Sequence, residues 1–396
     1  MQQTLKYGLK MAVLAVLIAA AGCSKPGKNI IFMCPDGMGL SNVTAARTYL
    51  HGANGDRLSF ETLPHIGYQR TSSKNSFVTD SAAAASAWAS GEKFNNGEIS
   101  CHDEDNDGRC DGTRKNPQTI LELAAEKDMA TGLVATSNIT HATPAAWGAH
   151  THSRKCESEI FKQLLGNKVD VMLGGGIATN RTHCKLDHTD KNITRRLISQ
   201  AREQGYQYVT TKHELKQAAA AGKLLGLFKL GGLTPIYKRG PASTEPTLEE
   251  MTQKALSVLE KNPDGLFLMV EGSQVDWANH ARNREYLIHE MIDFDNAVKT
   301  VMDWIKEKPA RSENTLLIVV ADHECGGVIL DGPYGELPAK GKADAMDVVF
   351  ASNYMNPLDS ANHTAVDTLI WSNQPACGRA MDNTDLFGIM KDFMGN

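Results

Sequence analysis

The chain has 396 residues and a formal net charge of −5, from 41 basic and 46 acidic side chains. This length allows one large α/β domain with insertions or two ordinary domains, and we favour a single domain. The acidic balance argues against an extended basic surface and therefore against nucleic acid as a partner. An anionic substrate would have to be attracted by local cations.

The first 22 residues have the character of an export signal. Lys6 and Lys10 precede an apolar stretch, 11–22, that is too short to span a bilayer as a stable helix. The small residues before Cys23 resemble a bacterial lipobox, although Ala20 stands where leucine is commoner. Lipidation of Cys23, which would anchor the protein to a membrane, and ordinary cleavage nearby are both open. We expect an exported protein that is periplasmic or at the cell surface.

The cysteines after the leader are candidates for disulfides, because an exported protein meets an oxidising compartment. The predicted pairs are Cys101 with Cys110, which bracket a short acidic loop, Cys156 with Cys184, and, by elimination, Cys325 with Cys377. This arrangement leaves Cys34 as a buried thiol within the first predicted strand.

Three short apolar runs each end in an acidic residue. They are 30–36, ending at Asp36, 266–271, ending at Glu271, and 316–323, ending at Asp322 and His323. Such runs are typical of buried strands in a parallel sheet, whose ligands bind at the carboxyl ends of the strands. Carboxylates gathered there would repel one another unless cations lay between them, so the pattern predicts a metal site.

Further apolar runs and amphipathic segments alternate along the chain. Strands are expected at 131–136 and 169–173, and helices at 117–127, 248–261 and 284–306. The alternation predicts an α/β fold with a doubly wound, largely parallel central sheet flanked by helices. Segments 182–247 and 333–362 lack a clear strand rhythm, and we interpret them as peripheral insertions in one domain spanning 28–393.

Ser81 directly precedes a run that is almost entirely alanine, 82–89. Alanine is the best helix former, so Ser81 should lie at a helix start. Backbone amides and the positive end of the helix dipole would then face a ligand beside its hydroxyl, which suits phosphate. For a serine considered by itself, a plain capping role is commoner.

Two acid–histidine pairs have the spacing of metal ligands. Asp276 and His280 are four residues apart, so one helical turn would point both toward one ion. The same spacing occurs by chance on solvated helix faces, but Glu271 lies just upstream. Asp322 and His323 are adjacent and reach one ion only if the strand has already ended there, which the following glycines allow. A structural Asp–His pair is the alternative.

Seven short motifs are spread over most of the chain after the leader. They are Pro35-Asp36-Gly37-Met38-Gly39, Thr79-Asp80-Ser81-Ala82-Ala83-Ala84, His141-Ala142-Thr143-Pro144, Ser153-Arg154, Glu271-Gly272-Ser273-Gln274-Val275-Asp276, Ala321-Asp322-His323 and Asn362-His363-Thr364. In this order they closely resemble the alkaline phosphatase family. The resemblance implies a largely parallel sheet between helices, a homodimer, and two zinc ions and one magnesium ion per chain at the strand ends.

The resemblance also implies roles for individual residues. Ser81 matches the nucleophile that becomes phosphorylated, and Arg154 matches the arginine that holds two phosphate oxygens. The matched metal ligands are Asp36, Asp322 and His323 for the zinc beside the serine, Asp276, His280 and His363 for the second zinc, and Asp36, Thr143 and Glu271 for magnesium. The implied activity is hydrolysis of small phosphate monoesters, over a broad substrate range, through a phosphoserine intermediate.

Two positions depart from the best-known bacterial members. His141 stands where they have an aspartate, and Trp277 stands where they have a lysine that contacts phosphate through water. Histidine at the first position resembles animal enzymes and some marine or cold-active bacterial ones, and some of these also have the tryptophan. We expect the third metal site and the phosphate affinity to differ, with weaker product binding and faster turnover.

An acidic loop between two of the cysteines resembles the start of a calcium-binding loop. Asp103, Asp105, Asp107 and Gly108 have the required spacing, but the twelfth position is Arg114 where a bidentate glutamate should stand. A full calcium hand is therefore not expected. A simpler calcium clip and a solvated acidic loop are both open.

A run of three glycines, 174–176, follows one of the predicted strands. Glycine backbone can approach a phosphate closely, but no lysine and serine follow as they would in a P-loop. A tight turn at the strand end is the favoured interpretation.

Two other functions remain as alternatives. A different hydrolase on the same scaffold is the closer one, but a sulfatase should carry Cys/Ser-x-Pro-x-Arg, whereas alanines follow Ser81. Phosphodiesterase relatives tend to use threonine and to lack the arginine found here as Arg154. A non-catalytic exported lipoprotein that binds metal or phosphate would need no serine beside the metal ligands.

Overall fold

The computed structural model describes residues 27–104, 108, 110, 115–167, 169–176, 193–332, 337, 340–341, 346–353 and 359–395. Several predictions lie outside this part of the chain: the leader 1–22, lipidation of Cys23, the calcium ligands Asp105 and Asp107, and the pairing of Cys156 with Cys184. Among the described residues, no helix has the length and apolar character needed to cross a membrane.

Strands and helices alternate through the described residues. The strands are β1 (Lys28–Cys34), β2 (His65–Arg70), β3 (Ala130–Asn138), β4 (Val171–Gly175), β5 (Tyr206–Val209), β6 (Lys223–Leu227), β7 (Gly265–Glu271), β8 (Thr315–Val320), β9 (Glu324–Cys325), β10 (Val328–Asp331), β11 (Asp347–Phe350), β12 (His363–Thr364), β13 (Thr368–Ser372) and β14 (Ala380–Asp382). The helices are α1 (Leu40–His51), α2 (Ser81–Ser90), α3 (Ile120–Glu126), α4 (Ala142–Gly148), α5 (Glu157–Gly166), α6 (Ile193–Glu203), α7 (Lys212–Gln217), α8 (Leu248–Leu259), α9 (Gln274–His280), α10 (Arg284–Lys306), α11 (Pro309–Asn314) and α12 (Asp385–Phe393).

One large sheet forms the centre of the described part of the chain. Its ten strands run in the order β14-β2-β13-β8-β1-β7-β3-β4-β6-β5. Neighbouring strands are parallel except at β13, which is antiparallel to both β2 and β8. Successive residues of β1 face opposite sides, so Ile31 packs with α8 and α10 while Phe32 packs with α2 and α4. The predicted doubly wound, largely parallel sheet flanked by helices is confirmed.

The three acid-terminated runs form the adjacent central strands β7, β1 and β8. They are buried along most of their length, which explains why their sequences are continuously apolar rather than alternating. Cys34 of β1 is in register with Glu271 of β7, and Met33 is in register with Val319 of β8. The carboxyl ends of the three strands therefore lie at one edge of the sheet.

The segment 182–247, which we interpret as a peripheral insertion, contains strands that the sequence did not predict. Two strands from its described part, β6 and β5, extend the central sheet beyond β4. The β6 sequence is only five residues long and includes Gly226, so its apolar pattern is weak. A substituent on Gly226 would collide with Leu173 of β4 and with Phe228, so packing explains the glycine.

The four strands β9 to β12 belong to two small sheets outside the central sheet. Strands β10 and β11 form an antiparallel pair, and β9 pairs with β12 through His363 opposite Cys325. This second pair matters for the site, because it brings His363 back to the strand that follows His323.

Candidate functional site

The predicted nucleophile lies at the first turn of α2. Asp80 caps this helix, with a side-chain oxygen that accepts a hydrogen bond of 3.0 Å from the amide of Ala83. Ser81 is therefore the first helical residue and not the cap. Its buried hydroxyl lies 3.4 Å from Oδ2 of Asp36 and 3.4 Å from Nε2 of His323.

The first group of predicted metal ligands surrounds this hydroxyl. Nε2 of His323 lies 3.1 Å from Oδ2 of Asp322 and 3.6 Å from Oδ1 of Asp36. The backbone amide of Gly37 donates a hydrogen bond of 3.0 Å to the other oxygen of Asp322, which ties the ends of β1 and β8 together. Burial, and then the charge of Asp322, raise the pKa of Asp36 well above its usual value. A cation among these groups would offset that cost.

The second group is built on α9 and β12. Nε2 of His280 lies 3.3 Å from Oδ2 of Asp276, and Nε2 of His363 lies 3.5 Å from Oδ1 of the same carboxylate. Burial opposes ionisation of Asp276, but the hydrogen bond from His280 and the charge of His363 lower its pKa overall. Burial, and then the charge of His323, lower the pKa of His363 to about 4. Asp276 is therefore ionised and His363 neutral near neutral pH, and these are the forms in which the two side chains bind a metal.

The two histidines of this group are oriented by backbone carbonyls. Nδ1 of His280 bonds to the carbonyl of Ala361, and Nδ1 of His363 bonds to that of Thr79 at 3.0 Å. Such contacts direct the Nε2 atoms toward a shared point, 3.1 Å from each other. Thr79 lies two residues before Ser81, so this contact also links β12 to the segment that carries the nucleophile.

The third group contains Asp36, His141 and Glu271, whose ligand atoms all lie within 4.8 Å of one another. Burial is the largest cause that raises the pKa of Glu271, which reaches about 7. Ser137 donates a hydrogen bond of 3.3 Å to Oε2 of this glutamate. Thr143, the remaining predicted ligand, is fully buried on α4.

The predicted phosphate-binding arginine lies beside the nucleophile. Nη1 of Arg154 donates a hydrogen bond of 2.9 Å to Oδ2 of Asp80, and Nη2 lies 3.2 Å from Nε2 of His141. The Arg154 side chain is 24% exposed, so it borders both the buried ligands and solvent. Trp277 meets the His141 ring edge-to-face, with 5.9 Å between ring centroids. The structure thus brings the predicted nucleophile, the predicted phosphate-binding arginine and the predicted zinc and magnesium ligands to one region.

The oxygen and nitrogen atoms of the three ligand groups fit the metals that the resemblance implies. Several of their buried oxygen atoms have no hydrogen-bond partner among the described residues: Asp36 Oδ1, Thr143 Oγ1, Glu271 Oε1, Asp276 Oδ1 and Asp322 Oδ2. Buried polar atoms without partners are costly, and cations would satisfy them. Carboxylates with imidazoles suit zinc, whereas a carboxylate-rich set with a hydroxyl suits magnesium.

Cys325 is a member of the second ligand group that sequence reasoning did not assign. Its sulfur lies within 4.8 Å of ligand atoms from Asp276, His280 and His363. In the sequence, only its position two residues after His323 pointed to the site. In the structure, the pairing of its strand β9 with β12 brings it to His363.

The predicted bridge between Cys325 and Cys377 is wrong, because both are buried free thiols. Cys325 faces the backbone of Asp276, 3.9 Å from its carbonyl oxygen, whereas Cys377 packs in the apolar cluster that contains α12. Cys101 and Cys110 form a disulfide. Within the loop that they close, the Gly108 amide donates to Asp103 at 3.1 Å.

Comparisons with known proteins agree with this geometry. A family model for alkaline phosphatase matches residues 27–368. The chain is 34% identical to alkaline phosphatase of Escherichia coli, with 94% of this chain and 87% of that protein aligned. It is 39% identical to alkaline phosphatase 3 of Bacillus subtilis, with 78% of this chain and 63% of that protein aligned.

Solved structures show the same relationship. Alkaline phosphatase from the Antarctic bacterium TAB5 superposes with a TM-score of 0.74 at 28% identity, covering 94% of this chain and 99% of that one. The cold-active alkaline phosphatase of a psychrophilic Shewanella gives a TM-score of 0.73 at 27% identity, covering 93% and 100% of the two chains. The chain therefore belongs to the alkaline phosphatase family and is a metal-using hydrolase of phosphate monoesters.

Proposed function

We propose that hydrolysis proceeds in two steps through a phosphorylated Ser81. The observation that carries this proposal is the position of the Ser81 hydroxyl, 3.4 Å from both Asp36 and His323 at the start of a helix. In the first step Ser81 Oγ forms a bond to phosphorus as the bond to the leaving alcohol breaks. In the second step water displaces Ser81 and releases inorganic phosphate, so two in-line displacements retain the configuration at phosphorus.

We propose two zinc ions and one magnesium ion per chain. Asp36, Asp322 and His323 would hold the first zinc, and Asp276, His280 and His363 the second. Asp36 and Glu271 would hold the magnesium together with the buried hydroxyl of Thr143, with His141 beside this third position. When bound, such ions supply Lewis acidity and positive charge beside the hydroxyl and the ester. The buried oxygens without hydrogen-bond partners support this assignment.

The rest of the site would bind and orient the phosphoryl group. The amides at the start of α2 offer hydrogen bonds and a positive dipole end to an anion. Arg154 presents a planar guanidinium, which suits two phosphate oxygens, and Asp80 holds it beside Ser81. Trp277 brings no positive charge to this region, so we propose that product phosphate is held less tightly than it would be beside a lysine.

We also propose that the protein is exported and forms a homodimer. The apolar leader with its basic start supports export. Exposed apolar side chains that line one surface depression support association: Leu40 is 59% exposed and Val366 58%. Light scattering on the purified protein should give twice the mass of one chain.

The proposal is tested by assays on the purified protein loaded with zinc and magnesium. It should hydrolyse p-nitrophenyl phosphate at alkaline pH much faster than the corresponding diester or sulfate ester. Ser81→Ala should lower the rate by at least about 10³-fold. The matched control Ser90→Ala, at the other end of α2, should keep activity near that of the wild type.

Metal analysis gives an independent result. We expect close to two zinc ions and one magnesium ion per chain, with activity lost to a chelator and restored by the same metals. A folded, zinc-loaded protein without turnover would instead support the metal-binding alternative, and preference for the diester would support the phosphodiesterase alternative.

A further inference from the structure

The glycine run at the end of β4 packs against a second glycine-containing segment, 228–234. The amide of Phe228 donates to the carbonyl of Gly174 at 3.0 Å, and the amide of Gly176 donates to that of Lys229 at 2.6 Å. A Cβ on Gly175 would overlap the carbonyl oxygen of Gly231. The strand end and the segment therefore touch backbone to backbone, and the glycines serve this packing rather than a P-loop.

The same segment lies directly on the indole of Trp277. A Cβ built on Gly232 would overlap Cη2 of the indole and lie 2.5 Å from Cζ3, which is closer than real Cβ contacts. The indole also meets the ring of His141 at an interplanar angle of 81°. Trp277 therefore has contacts with the bare backbone of Gly232 and with a residue of the third ligand group.

Buried hydrogen bonds hold the segment to the helix that carries Trp277. The side-chain amide of Gln274, the first residue of α9, donates to the carbonyl of Leu233 at 2.7 Å. Tyr286 donates at 2.6 Å to the oxygen of the same Gln274 side chain. The amide of Leu233 donates to the carbonyl of Thr136 at 2.9 Å. The segment is thus tied to both β3 and α9 and has little freedom to retreat from the indole.

A chain of contacts leads from the segment to the phosphate site. Gly232 contacts Trp277, Trp277 contacts His141, and Nε2 of His141 lies 3.2 Å from Nη2 of Arg154. We infer that Gly232 is a positioning residue for phosphate binding: without a Cβ, it lets the indole lie against 228–234 and leaves His141 and Arg154 in place. This inference rests on the proposed role of Arg154 and deepens it.

Gly232→Ala tests the inference directly. The added methyl should force the indole from its place and disturb His141 and Arg154, so the inhibition constant of inorganic phosphate should rise roughly three- to tenfold. Trp277 fluorescence, obtained by difference from Trp277→Phe, should shift in its emission maximum. The matched control is Gly240→Ala, where a Cβ meets no atom of the described residues within 4 Å. It should change neither the phosphate inhibition constant nor the emission maximum.

Testing Gly232→Ala in a Trp277→Phe variant separates the contact between Gly232 and the indole from a general packing effect. Phenylalanine lacks Cη2 and Cζ3, so adding Gly232→Ala to Trp277→Phe should change the phosphate inhibition constant by less than twofold. If Gly232→Ala alone does not fold, recovery of folding in the Trp277→Phe background supports the same contact. An equal loss in both backgrounds, or unchanged phosphate binding and emission in Gly232→Ala, would overturn the inference.

If the proposed function is wrong, the experiments give a different result from the one expected when only the role of Gly232 is wrong. In that case the wild type and Gly240→Ala would show no turnover, whereas phosphate binding by calorimetry and the emission difference would still test the role of Gly232.

Discussion

Nη1 of Arg154 donates a hydrogen bond of 2.9 Å to Oδ2 of Asp80, the residue that caps the helix beginning at Ser81. The other oxygen of Asp80 accepts the amide of Ala83. One carboxylate therefore orients both the helix of the nucleophile and the cation beside it. Burial disfavours the charged guanidinium, but Asp80 raises the pKa of Arg154 overall and keeps it charged.

Replacing Arg154 by alanine should lower kcat/KM for a phosphate monoester by about 10²-fold, because the bidentate cation beside Ser81 is lost. The loss should be smaller for a diester, which carries one less negative charge. Steady-state kinetics with both substrates measure this difference. The exposed neighbour gives a matched control, Lys155→Ala, with unchanged kinetics. Equal losses for both substrates would contradict the assigned role.

Trp277→Lys should tighten the binding of inorganic phosphate. An ammonium group beside the site adds attraction to the product, so we expect its inhibition constant to fall roughly three- to tenfold and its release to slow. Trp277→Met is the control, because it removes the ring without adding charge. Rapid-mixing measurements of phosphate release decide the outcome. If Trp277→Lys releases phosphate at the wild-type rate or faster, Trp277 is not the cause of weak product binding.

Asp276→Asn should remove zinc in preference to magnesium. Asp276 lies between His280 and His363 in the second ligand group, and loss of its charge should weaken zinc affinity by about 10²-fold or more. The melting temperature should fall as well, because the ions bind the folded state only. Zinc content after dialysis and thermal unfolding measure the two effects. Asp264→Asn, at an exposed position before β7, should retain both metal and stability.

Glu290 on α10 should make stability depend on pH. Burial raises its pKa to about 8, although its carboxylate accepts a hydrogen bond of 2.7 Å from the amide of Ile236. The folded protein favours the protonated acid, so this stabilisation is complete below the unfolded value of about 4.3 and is lost as the pH rises through about 8.

Glu290→Gln should therefore unfold about 2 °C or more above the wild type at pH 10, with a smaller difference at pH 6. Glutamine keeps an oxygen for the Ile236 amide but cannot ionise. Thermal unfolding across this range is the measurement, and Glu285→Gln on the exposed face of α10 is the control. If the melting temperature of Glu290→Gln exceeded that of the wild type by more at low pH than at high pH, the predicted effect of Glu290 would be contradicted.

Much of the site was predictable because its signals are local. Asp36, Glu271 and Asp322 each end an apolar run, and the parallel sheet brings the ends of such runs to one edge. Ser81 starts a helix because alanines follow it and Asp80 caps it. The strands β5 and β6 were missed because they are short and β6 is interrupted by glycine. Cys325 was paired wrongly, because elimination among cysteines carries no distance information.

The sequence by itself determined the types of ligand, the position of the nucleophile at a helix start and the family, since each depends on neighbouring residues or on the order of motifs. Only the tertiary structure decided which distant groups touch. His363 meets Asp276 and the carbonyl of Thr79 through the pairing of β12 with β9. Gly232 meets Trp277 because segment 228–234 packs against the end of β4 and is hydrogen-bonded to α9. Such contacts depend on how separate elements pack, and no local pattern of side chains encodes them.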